Sequence, residues 1–257
     1  MIDTPFTLQG YVALIRGFLA KGYVVTDYAD IDPAARHLIL RHDVDMDIGR
    51  ALEMAEEESA LGVKSNYYVL LRTEMYNVFS DRAAIMLRHI TALGHKIGLH
   101  FDASIYPPER AALEAAAVQE CAILEQLLGN EIETITFHRP APQLQGLKGR
   151  FAGRLHGYDP RFFSDIGYCS DSEGRWRFGH PFENEAVKSQ RAIQLVTHPI
   201  WWCASRDEQV IPKLQRFLRD RSDMLTTEVG LNCKPFNAHL NERAVTEAEM
   251  ALERADQ

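Results

Sequence analysis

The sequence predicts an α/β protein with a mostly parallel sheet, open or closed into a barrel. Short apolar runs alternate along the chain with helical stretches of roughly 10–20 residues, the pattern of repeated βαβ units. Four of those runs end in a histidine, aspartate or arginine, and no linker rich in Gly, Pro or Ser divides the 257 residues. One domain over 1–257 is therefore expected, with a motif-bearing core at about 38–202 and a polar C-terminal extension over 234–257.

The elements follow in order. Tyr11, Leu14, Ile15 and Phe18 have helical spacing within Thr7 to Ala20, and Gly22 stops that helix. Leu38-Ile39-Leu40 reads as a strand running to Arg41. Asp47 can cap a helix to about Leu61, closed by Gly62; Asn66 to Leu71 is a second strand. Ser80 opens a helix to Leu93, Lys96 to Leu99 is a strand ending at His100, and a helix spans about Pro108 to Leu128. Ile132 to Phe137 is a strand ending at His138-Arg139-Pro140, and Gly146 to Gly157 is a loop. Phe162 to Tyr168 and Ile193 to Thr197 complete the strands, the latter ending at His198-Pro199. Ser205 to Ser222 is the last substantial helix, and Thr246 to Arg254 a surface helix or frayed tail.

Composition narrows the function classes. With 46% apolar and 25% charged residues the chain is an ordinary globular protein, and a net charge of -8 with scattered Lys and Arg argues against a nucleic-acid partner. Cys121, Cys169, Cys203 and Cys233 lack CxxC spacing and read as reduced thiols. No stretch approaches the ~18 apolar residues of a transmembrane segment. The first 20 residues lack a signal-peptide pattern, so a cytoplasmic location is expected.

Chemistry concentrates at the strand ends. Asp43 and Asp45 are two residues apart, so on an extended strand both side chains leave one face, where a cation or shared proton must relieve their repulsion. A divalent metal is the simplest relief. His42, His100, Asp102, His138, Arg139 and His198 stand at the other ends or beside them, and in a parallel sheet all carboxyl ends lie on one side. His95 precedes its strand and reads as a turn or supporting residue. Trp176, Trp201 and Trp202 could stack on sugar rings or pack in the core. Asp171, in a Ser-Asp-Ser loop, could cap a turn or orient Arg139 or His198.

These segments resemble the polysaccharide deacetylases, the NodB-homology group (carbohydrate esterase family 4). Arg41-His42-Asp43-Val44-Asp45 is similar to the family's TFDDG-like strand end, and Gly94-His95-Lys96-Ile97-Gly98-Leu99-His100 to its GHEIGxHTxxH segment. Phe137-His138-Arg139-Pro140 resembles the RxPxG segment, Tyr168 to Trp176 the tryptophan-bearing loop, and Leu195-Val196-Thr197-His198 the late strand. The five arrive in the family's order. Two departures stand out: the adjacent Asp pair has become Asp-Val-Asp, and the second His of HTxxH falls at Ser104.

The resemblance implies a distorted (β/α)7 barrel and a hydrolase that removes an acetyl or other acyl group from an amino sugar. It implies a divalent metal, zinc first, on Asp45 and His100; His138 is the choice for third ligand, with Asp102 and His42 as rivals. It further implies Asp43 as base, held ionised by Arg139, and His198 as the acid that protonates the leaving amine, while the inserted Val44 leaves open an exchange of roles between Asp43 and Asp45. Trp176, Trp201, Trp202 and Asp171 are the candidate substrate contacts. The expected substrate is a nucleotide- or lipid-linked precursor of a surface polysaccharide such as O-antigen. Alternatives are an amidohydrolase or deformylase acting on a small non-sugar amide, a degenerate glycan-binding barrel suggested by Ser104, and a glycosidase using Asp43 and Asp45, for which their spacing leaves little room.

Overall fold

A computed structural model describes residues 4–202 and 208–240. In chain order its elements are α1 (Leu8–Ala20), β1 (Val24–Val25), β2 (His37–Val44), α2 (Ile48–Ala60), β3 (Asn66–Val69), α3 (Asp81–Ala92), β4 (Lys96–Phe101), α4 (Arg110–Leu128), β5 (Thr134–Phe137), β6 (Leu155–His156), α5 (Pro160–Phe163), β7 (Gly167–Ser170), α6 (Glu185–Lys188), β8 (Ile193–Thr197), α7 (Pro199–Trp202) and α8 (Val210–Asn232). The chain forms two compact units, Met1–Glu208 and Gln209–Gln257. Among the described residues every strand lies in the first.

Local chemistry explains where elements begin. The side chains of Thr7, Asp47 and Ser80 accept hydrogen bonds from the opening N–H groups of α1, α2 and α3, the last two at the helix starts the sequence predicts. Several expectations change. The strand at Leu38 runs on to Val44, so Asp43 sits inside it. The Gly146–Gly157 loop contains β6. Phe162–Tyr168 is no single strand: Asp159 caps a helical turn opened by Pro160, which claims Phe162 and Phe163 before β7 begins at Gly167. The last helix extends past Ser222 to Asn232; its expected start at Ser205, Cys203 and the segment Thr246 to Arg254 all lie outside the described residues. Cys121, Cys169 and Cys233 are free thiols, and no described helix is long and apolar enough to cross a membrane.

The strands pair in the order β6-β5-β4-β3-β2-β8-β7, all parallel, with β1 against the start of β2. This is a distorted (β/α)7 barrel, with no pairing between β6 and β7 among the described residues. The sheet curls until its inner face meets itself. Gln194 on β8 donates through Nε2 to the carbonyls of Gly157 (3.3 Å) and Phe162 (2.7 Å) and accepts from Tyr28 Oη at 2.5 Å. Gly98 serves the same closure: a Cβ there would lie 2.3 Å from the Tyr68 ring. With nothing larger than hydrogen at Gly98, the Tyr68 hydroxyl reaches Thr134 Oγ1 at 2.8 Å.

Strand alternation then divides two environments. The outer faces of the strands pack on α2, α3 and α4 through Val44, Val69, Leu99, Ile135 and Leu87. One polar cluster sits within this layer. Glu58, 0% exposed on α2, accepts from Tyr11 and Tyr67 hydroxyls, from Ser65 and from His42 Nε2 (2.8 Å), while His95 bonds to Ser65 and the Ala55 carbonyl. Burial favours the neutral acid, but the two histidines and the donors hold the Glu58 pKa down to about 2.

A carboxylate depressed from 4.5 to about 2 contributes its full stability above pH 4.5 and loses it as pH falls through about 2. Glu58→Gln should therefore lower stability at pH 7 by roughly 3–5 kcal/mol. The wild-type advantage should shrink as pH falls from 4.5 to 2, read from denaturant melts of both proteins across that range.

Candidate active site

The site grows from the end of β2. Alternation sends Arg41 and Asp43 to the barrel interior and His42 to the helix layer. Arg41 holds Asp43 in a bidentate pair, Nε to Oδ1 at 2.8 Å and Nη2 to Oδ2 at 2.7 Å, with both side chains buried. Its guanidinium lies over the Tyr158 and Tyr68 rings, 5.2 and 5.8 Å from their centroids. Burial alone would raise the Asp43 pKa; the Arg41 charge and hydrogen bonds bring it below the ordinary carboxylate value.

Asp45 follows one step beyond the strand. Its Oδ1 lies 3.2 Å from His100 Nε2 and 3.2 Å from His138 Nδ1, and the three ligand-type atoms lie within 4.8 Å of one another. That oxygen is buried and makes no well-formed hydrogen bond. An orphaned carboxylate oxygen facing two imidazole nitrogens fits a divalent ion, since two nitrogens and an oxygen leave coordination positions open. His100 is aimed by its far side, where Nδ1 meets Thr136 Oγ1 at 2.7 Å. The Asp45 pKa is depressed despite burial because both imidazoles stand 3.2 Å from its Oδ1, and the His138 pKa rises against burial because it faces that same carboxylate.

His198, at the end of β8, faces Asp45 Oδ2 across 3.8 Å with its Nε2. Its Nδ1 is 2.6 Å from Asp171 Oδ1, and Asp171 also accepts from the His198 backbone N–H and from Trp202 Nε1 at 2.6 Å. Burial opposes a charge on His198, but Asp171 and the nearby carboxylates raise its pKa to about 9. Asp43, Asp45, His100, His138 and His198 line one cavity of about 110 Å³, together with Tyr158, Tyr168 and Val196.

Several expected assignments move. Arg139 does not touch Asp43; its Nη2 pairs with Asp102 Oδ2 at 2.9 Å, because Arg41 already occupies both Asp43 oxygens. Asp102 is committed to that pair and to Ser104, whose N–H and hydroxyl bond its Oδ1 at 3.0 and 2.6 Å, so neither Asp102 nor Ser104 joins the ligand cluster. His42 is turned away from the cavity, between Glu58 and Thr197 Oγ1 (2.7 Å). Asp171 is fully buried beneath His198 and is no substrate contact.

None of the tryptophans lines the cavity. Trp201 and Trp202 are buried; Trp202 packs on Phe6 and Tyr11 at 4.5 and 5.6 Å between centroids, and half-buried Trp176 packs against Phe6 and Trp202 at 5.6 and 5.7 Å. Sequence reasoning missed Arg41, although its position two residues before Asp43 places both on one strand face. Tyr158, Tyr168 and Thr136 carried no such signal.

No protein-family model matches the chain, and no curated protein matches it. Solved structures do. A Streptococcus pyogenes deacetylase in complex with acetate aligns at 9% identity over 77% of this chain and 83% of its own, TM-score 0.46. The chitin deacetylase of Colletotrichum lindemuthianum aligns at 14% over 78% and 86%, TM-score 0.42. A family 4 carbohydrate esterase of Bacillus anthracis aligns at 14% over 82% and 86%, TM-score 0.43.

Metal analysis of the purified protein should find one divalent ion per chain. His100→Ala and His138→Ala should each weaken its binding by more than about 100-fold, while Asp102→Asn leaves it within a few-fold. Equal losses from Asp102→Asn would move the ligand set to the β4 end.

Proposed function

We propose that this chain is a metal-dependent hydrolase that removes an acetyl group from the nitrogen of an amino sugar. The observation that carries the reading is the convergence on one 110 Å³ cavity of a carboxylate–bis-imidazole set, an ionised Asp43 and a protonated His198. The motif order that resembles the polysaccharide deacetylases supports it, and so does the small size of the cavity. Asp45, His100 and His138 would hold the ion, which supplies Lewis-acid polarisation of the acyl carbonyl and a more acidic water.

The chain's own residues divide the remaining work. Asp43 accepts the proton of the attacking water, and Arg41 keeps its carboxylate ionised and oriented while it waits. His198 is poised on the opposite carboxylate, its Nδ1–H on Asp171 and its Nε2 towards the cavity, to protonate the departing amine. Tyr158, Tyr168 and Val196 wall the acyl group. Within this reading zinc is the first metal, by its preference for imidazole with carboxylate. The substrate is an acylated amino sugar on a nucleotide or lipid carrier for a surface polysaccharide, the location the cytoplasm, and the catalytic domain the one that holds residues 38–202.

One observation favours a second reading. Because no tryptophan lines the cavity, an indole platform for a sugar ring is missing there, which suits a small non-sugar amide. Acetate release from N-acetyl amino sugars should exceed release from simple acetamides if the first reading holds. Asp43→Asn and His198→Ala should each slow it by about 10²–10⁴-fold with bound metal retained. Trp176→Ala should stay within about twofold, and equal rates on simple acetamides would favour the second reading.

A further inference from the structure

The aromatic side of the cavity does not stop at its lining. Phe137, Tyr158 and Tyr168 line the cavity beside its ionisable groups. Their rings belong to one chain of contacts: Phe137 lies 5.4 Å from Tyr158 between centroids, Tyr158 stacks on Phe163 at 5.5 Å with 21° between the planes, and Phe163 meets Tyr168 at 4.7 Å. Tyr158 follows β6 and Tyr168 belongs to β7, two strands with no pairing between them among the described residues, so rings rather than backbone bonds span that gap. Phe178 continues the chain outward, edge-on to Tyr168 at 6.0 Å.

Exposure separates the two phenylalanines. Phe163 is wedged between two tyrosines, and filling the gap between β6 and β7 accounts for it. Phe178 is 61% exposed, so closure of the barrel accounts for little of its ring. Yet the backbone on either side of it is fixed. The Arg177 N–H donates to the carbonyl of Ser170, itself a cavity-lining residue, at 3.2 Å, and the Gly179 carbonyl accepts from Cys169 Sγ at 3.4 Å. Both bonds tie the segment to the end of β7 and keep the Phe178 ring against Tyr168. A ring held in place before a ligand arrives loses little freedom on being covered.

The chemistry of the ligand follows from a ledge that is aromatic but open to water. Tyr168 and Phe178 stand one ring apart, so a ligand that places its acyl group against Tyr168 can lay an adjoining ring on Phe178. A pyranose suits such a ledge, because the C–H groups of one face pack on the aromatic ring while its hydroxyls stay in water. An alkyl chain laid there would keep its outer side wet and gain only part of its burial. We propose that Phe178, continuous with the cavity through Tyr168, is the platform on which the pyranose ring of the substrate stacks. This rests on the hydrolase reading for the acyl group in the cavity. It makes Phe178 a determinant of sugar over simple amide, in a site whose cavity no indole lines.

The test compares Phe178→Ala, Phe178→Tyr and Phe178→Leu with wild type, with Ile85→Ala, at an exposed apolar position of α3, as control. Acetate release is followed from N-acetylglucosamine, N-ethylacetamide and N-hexylacetamide, and N-acetylglucosamine binding by NMR titration on the Asp43→Asn background. Phe178→Ala should raise KM for the sugar about fivefold relative to KM for N-ethylacetamide, with kcat within twofold, and weaken sugar binding by the same factor. Phe178→Tyr should bind the sugar as wild type does, because it keeps the ring. Phe178→Leu should bind it no better than Phe178→Ala, because apolar bulk without a flat face is no platform. Equal losses on N-hexylacetamide and the sugar would make the ledge a site for an alkyl tail and overturn the proposal. Rescue by leucine, a fall in kcat at constant KM, or the same loss from Ile85→Ala would overturn it too. Sugar binding that depends on Phe178 in a protein that releases no acetate would sink the hydrolase reading and keep the platform. Wild-type protein that binds no N-acetylglucosamine would overturn the platform, while acetate release from N-ethylacetamide would still support the hydrolase.

Discussion

Two carboxylates at the end of one strand govern this structure. Asp43 and Asp45 leave β2 on its inner face, where burial raises the free energy of each charge and each raises that of the other. The fold answers from four directions: the Arg41 guanidinium from below on the same strand, and the imidazoles of His100 from β4, His138 from β5 and His198 from β8. The pair stays ionised because the neighbouring strands end at the same level. A parallel sheet supplies that condition without further design, since all its carboxyl ends share one side.

The two aspartates are held in different ways, which separates their chemistry. Asp43 has both oxygens bound to one guanidinium and meets the cavity as an oriented carboxylate. Asp45 turns one buried oxygen between two imidazoles, a donor set that fits a divalent ion. The Val44 between them turns outward into the hydrophobic layer, so the insertion that separates the acids also anchors the strand. The same alternation puts His42 on the buried Glu58 cluster and ties the ends of β2 and β8 together through Thr197, directly below His198.

Much of this was legible in the chain. The helix starts at Asp47 and Ser80, the strand ends at His100, His138 and His198, and the shared face of Asp43 and Asp45 all follow from local rules of spacing and capping. Other assignments failed for a common reason. Trp176 and Trp202 carry the same composition signal whether they wall a pocket or fill a core, and only their packing on Phe6 and Tyr11 decides between the two. Arg139 stood at a strand end like the others, but a long side chain chooses its partner by distance, and Asp102 was within reach while Asp43 was taken.

The sequence by itself determined the α/β alternation, the parallel sheet and the set of strand ends that carry ionisable groups, because periodicity and capping act within a few residues along the chain. The tertiary structure alone decided which guanidinium pairs with Asp43, that Asp171 bonds His198 and Trp202, and that β6 joins the sheet within a glycine-rich loop. Those outcomes depend on which groups meet across the barrel after it curls. Contacts between strands far apart in the chain are set by the closure of the whole sheet, and no local pattern encodes them.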